Sequence, residues 1–141
     1  MLFDADSKID IHEQSPISLA FVGDGVFELL VRSRLVSTTR LVPNQLHSKA
    51  VSYVCARAQC EALALITPLL TENELAVVRR GKNSSKATVS KNATSEEYRA
   101  STAMEALFGY LYLENENARV LELFDYIWQY HENKTHSKDI K

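Results

Sequence analysis

The chain has 141 residues, 45 % of them hydrophobic, with only four glycines and three prolines. That length buries a core without disulfide or metal staples, and the scarcity of turn residues excludes a β-sandwich in favour of helices. A formal net charge of −2 excludes a globally basic nucleic-acid binder, the polar, acidic N-terminus is no secretory leader, and no apolar run reaches the ~20 residues that span a bilayer.

These features predict a soluble, cytoplasmic, all-α bundle with no membrane partner. It reads as one domain over residues 1–141, with a globular part at about 15–131 and polar termini. Residues 1–14 read as a loosely held arm. Ser15 and Pro16 start a helix as N-cap and first helical residue, and it runs to about Val36. Leu19, Val22, Val26, Leu29 and Leu30 form its apolar stripe, and Phe21, Phe27 and Val31 lie off it, so protein should cover several sides. Gly23 and Gly25 cost helix propensity, which implies close helix packing or backbone access beside Asp24.

After a connector, Pro43 opens a second helix from about Asn44 to Ile66, stopped by Pro68. Cys55 and Cys60 lie on it and read as reduced core thiols. Thr71 and Glu74 make a capping box for a short helix ending near Arg80 and Gly81. Residues 81–95 read as a flexible basic loop. Thr94 and Glu97 make another capping box, for a helix through about Leu113. The last helix spans about Ala118 to Tyr130, and the polar tail after it is expected to fray.

Two features carry chemistry. Glu105 is the only charge in ASTAMEALFGYLYL, residues 100–113, and Asp24 shares ISLAFVGDGVFELLV with only Glu28. An ionised carboxylate is costly to bury without a partner, so two in such settings point to a missing cation. Mg²⁺ takes oxygen ligands and keeps several waters, so Asp24 and Glu105 converging from two helices are enough to hold it. The plain alternative is that each pairs with Arg or Lys. Glu28 is an auxiliary candidate, but Arg32 stands one turn on for an ordinary ion pair. The second feature is RRGKNSSKATVSK, residues 79–91. It carries Arg79, Arg80, Lys82, Asn83, Lys86 and Lys91 and no acid. A basic segment rich in small polar residues suits contact with phosphate. The alternative is a solvated loop.

FVGDGVFE, residues 21–28, resembles the ribonuclease III motif ERLEFLGDAVLE, and EYRASTAMEALFGYLYL, residues 97–113, resembles the second motif of that fold. The whole is most similar to the Mini-ribonuclease III family, the catalytic domain without its double-stranded-RNA-binding domain. The resemblance covers about residues 15–130. It implies the ribonuclease III helical bundle and Mg²⁺-dependent endonucleolytic cleavage of double-stranded RNA, leaving 5′-phosphate and 3′-hydroxyl ends. Asp24 and Glu105 fall on its metal-binding, catalytic positions. It also implies a homodimer with two active centres along one RNA-binding valley, and a role in maturing the large-subunit (23S) ribosomal RNA precursor. Ile17, Ala20 and Thr102 stand where full-length ribonuclease III has further acids, so the metal site should be sparse, with Thr102 as an auxiliary through its hydroxyl. The alternative within the fold is a non-catalytic RNA-binding or assembly factor, marked by replacement of Asp24 or Glu105. Both are present.

Overall fold

The computed structural model describes residues 10–85 and 93–139. Within them lie six α-helices and no strand: α1 Pro16–Thr38, α2 Pro43–Val54, α3 Ala56–Ile66, α4 Glu72–Ser84, α5 Ser95–Leu113 and α6 Asn117–Asp139. Short 3₁₀ turns at Ile11–Glu13 and Thr67–Leu69 precede α1 and follow α3. The caps sit where the sequence puts them. Ser15 accepts from the Ser18 N–H, and Thr71 and Thr94 close capping boxes with Glu74 and Glu97.

The helix α5 is central and packs against α1, α3, α4 and α6. Its scarcity of charge follows from that position, since Ala103, Ala106, Leu107 and Phe108 have no exposed surface. Phe27 of α1 meets Phe108 and Phe124 edge-on, with ring centroids 5.4 and 5.8 Å apart. Arg119 of α6 ties down the start of α4. It pairs with buried Glu74 at 2.8 Å and donates to the Leu69 carbonyl at 2.7 Å.

The structure corrects the sequence in five places. The buried face of α1 is Leu19, Ala20, Gly23, Phe27, Val31 and Leu35, while Leu29 is 50 % and Phe21 84 % exposed. The apolar surplus of α1 is therefore not covered within the described chain. The second helix is two, broken where Cys55 takes an extended conformation (ψ 156°). Gln59 donates to the Val54 carbonyl at 2.8 Å and so satisfies a group the break releases. Cys55 is exposed there, not a core thiol as expected, while Cys60 is partly buried against the core, and both are free thiols. Gly81 does not end α4 but lies inside it, facing α5. And α6 runs on to Asp139, because Tyr53, Ser52 and Glu61 hold its His131 and Lys134.

Candidate active site

Two mid-helix glycines set the geometry. A Cβ at Gly23 would overlap the carbonyl oxygen of Glu105, and one at Gly109 would overlap that of Leu19. The helices α1 and α5 therefore cross backbone against backbone, at a separation that only glycine permits. Asp24 follows Gly23, and Glu105 lies one turn before Gly109. The crossing thus brings the two carboxylates, 81 positions apart in sequence, into hydrogen-bonding contact. Gly25 has no such cause, since nothing lies within 4 Å of a Cβ there.

Asp24 is exposed and Glu105 is partly buried. Burial, then the negative charge of Asp24 and the hydrogen bond to it, push the Glu105 carboxyl up to about 8. The pair thus holds a proton at neutral pH where it would accommodate a cation. Among the described residues, no Lys or Arg forms an ion pair with either carboxylate. Among the described residues, the ion-pair alternative finds no partner for either. A pair of converging carboxylate oxygens with no protein cation is a donor set that fits a hard divalent ion. Among the described residues, no cluster of three or more His, Cys, Asp or Glu that could hold a metal ion is present.

The auxiliary candidates each have another partner. Glu28 accepts from Arg32 at 2.8 Å. The Thr102 hydroxyl donates to the Tyr98 carbonyl at 3.1 Å and lies 3.4 Å from the Ser85 hydroxyl. With its proton committed to that carbonyl, Thr102 remains an acceptor.

The region 17–116 matches the ribonuclease III domain family. Mini-ribonuclease 3 of Brevibacillus brevis is 44 % identical over 77 % of this chain and 81 % of its own. That of Clostridium tetani is 34 % identical over 94 % and 88 %, respectively. The chain belongs to the ribonuclease III family, in its Mini-ribonuclease 3 group. A crystal structure of a Fusobacterium nucleatum protein, 27 % identical, has the same fold, with a TM-score of 0.78 over 85 % of this chain and 96 % of that one.

In this Mini-ribonuclease 3 chain, the basic end of α4 is seated on α5 at Ala103 and Ala106. A Cβ on Gly81 would lie 2.8 Å from the Ala103 Cα and 3.4 Å from the Ala106 Cβ, the residues flanking Met104 and Glu105. Arg79, Arg80, Lys82 and Asn83 are exposed on these last turns. Lys86 and Lys91 lie outside the described residues. Sequence reasoning missed two participants, Gly109 and Ser85. A lone glycine inside an apolar helix was the available signal for Gly109, and nothing local marked Ser85.

Proposed function

We propose that the chain is a Mg²⁺-dependent endoribonuclease that cuts double-stranded RNA, with Asp24 and Glu105 as its metal-binding catalytic residues. The observation that carries this reading is the Asp24–Glu105 contact, two carboxylates together with no ion pair to a Lys or Arg among the described residues. Mg²⁺ bound there would neutralise the pair and supply Lewis-acid stabilisation of charge on the phosphodiester under attack. The chain's own part is to hold the two oxygen ligands at a spacing fixed by the glycine crossing. Its other part is to hold the duplex by phosphate contacts at Arg79, Arg80, Lys82 and Asn83, continued by Lys86 and Lys91. Water adds to phosphorus, the bond to O3′ breaks, and the ends left are 5′-phosphate and 3′-hydroxyl.

We further infer a cytoplasmic homodimer acting on the large-subunit (23S) ribosomal RNA precursor. The exposed apolar strip on α1 and α6, Ile17, Phe21, Leu29 and Leu121, supports self-association. Beside it lies a groove of about 520 Å³ that Gly25 helps to line. No described helix is long and apolar enough to cross a membrane.

The test is incubation of the purified protein with long double-stranded RNA and Mg²⁺, beside Glu105→Ala and Asp24→Asn. The parent should cut, both variants should lose activity on the order of 10²–10³-fold, and EDTA should abolish it. Cutting that survives Glu105→Ala would overturn the assignment.

A further inference from the structure

A second polar groove, about 700 Å³ in volume, lies between α2 and α6, neither of which carries Asp24 or Glu105. Asn44, Gln45, Lys49, Ser52, His131 and Lys134 line most of it. Their hydrogen bonds leave a surplus of donors. The Asn44 side-chain carbonyl accepts from the Gln45 N–H at 3.0 Å, and that of Gln45 accepts from the Val42 N–H at 3.1 Å. Both amide NH₂ groups are thereby left to donate. The Ser52 hydroxyl donates to the Lys49 carbonyl at 2.6 Å, so its oxygen accepts from His131 Nε2, 3.3 Å away.

The charges are also unequal. Lys49 stands a loose 3.6 Å from Glu132, whose carboxylate already accepts from the Tyr53 hydroxyl. Lys134 pairs with Glu61 at 2.6 Å, and Arg57 reaches the same carboxylate at 3.7 Å. Two ammonium groups, Lys49 and Lys134, thus line the groove, the first only loosely neutralised, and each carries three donors. Burial and then the Lys49 charge hold His131 below its ordinary value, with Lys134 adding to them and Glu132 and Glu61 opposing.

We propose that this groove binds a phosphate group, separately from the carboxylate site, with Lys49 and Lys134 supplying charge and the Asn44 and Gln45 amides supplying directed donors. Phosphate offers acceptor oxygens and negative charge and no obligatory donor, which is what the groove lacks. An RNA backbone and a free nucleotide both bear such a group.

The test is a titration of the full chain with inorganic phosphate at constant ionic strength, read on the His131 C2–H proton resonance. The resonance should move saturably, and the His131 pKa should rise, because a bound anion favours the imidazolium against the opposing Lys49 and Lys134 charges, with Glu61 and Glu132 already in place. Lys49→Gln should weaken phosphate binding about tenfold, the loss of one charge-assisted hydrogen bond. A His131 signal that phosphate leaves unmoved, or moves equally in the parent and Lys49→Gln, would overturn the proposal. The parent titration stands even if the variant folds poorly. The same variant assayed with a short RNA duplex and with a nucleoside 5′-monophosphate separates the sources. Weaker duplex binding with a salt slope lower by about 0.7–0.9 identifies the RNA backbone. Unchanged duplex binding with weaker nucleotide binding identifies a free phosphorylated ligand.

Discussion

At neutral pH the Glu105 carboxyl, pushed up to about 8 from an ordinary 4.5, keeps a proton that an exposed glutamate has lost. An acid whose folded pKa is raised stabilises the fold below its unfolded pKa, and that contribution is lost as pH rises through the folded value. The metal-free protein should therefore lose melting temperature between about pH 4.5 and 8 relative to Glu105→Gln, and Mg²⁺ should restore more of it at pH 8 than at pH 6. Thermal melts with and without EDTA check this, and parallel curves for parent and variant would refute it. The glycines give a second contrast. Gly23→Ala must push α1 and α5 apart and should cost about 3 kcal/mol or more. Gly25→Ala meets open space and should stabilise the monomer by about 0.5–1 kcal/mol. A Gly23→Ala chain that melts with the parent would mean that the helices are not in backbone contact. At this scale Asp24 and Glu105 were legible in the sequence, because a lone charge in an apolar helix has a visible cost. Their convergence was an expectation too, but the backbone crossing that produces it was not, because it depends on Gly109, 86 positions from Gly23.

Among the elements, α4 carries the RNA-facing expectation. Arg119 clamps its start through Glu74, and Gly81 seats its end on α5, so Arg79, Arg80 and Lys82 are presented by a helix held at both ends. Replacing all three with Gln should weaken duplex binding and lower the magnitude of the salt slope by about 2–3. An unchanged slope would put the RNA elsewhere. Helix starts were legible because caps act locally. Ser15, Thr71 and Thr94 each bond an N–H within three residues. The break at Cys55 was not, since no Gly or Pro marks it and the bond that satisfies it comes from Gln59 on the far side. The end of α6 was misread for a related reason. Its polar tail has no apolar period, and its order comes from contacts with Tyr53, Ser52 and Glu61 on other helices.

For the whole molecule, the outward face of α1 is the open question of assembly. Its apolar residues looked like core in the sequence because periodicity cannot separate burial within a chain from burial between chains. Phe21, 84 % exposed, contributes little to the monomer. If the proposed homodimer packs on this face, Phe21→Asp shifts sedimentation from dimer to monomer while the helical circular dichroism is kept. A variant that stays dimeric would place the interface on another face. The crossing of α1 and α5 has a different consequence. Where the ligand spacing rests on main-chain contact, it is stored in atoms that every substitution short of glycine loss leaves unchanged. Drift in the volumes of Phe27, Phe108 or Phe124 then retunes how firmly the chain folds without re-aiming the chemistry, so the two properties can diverge independently among relatives.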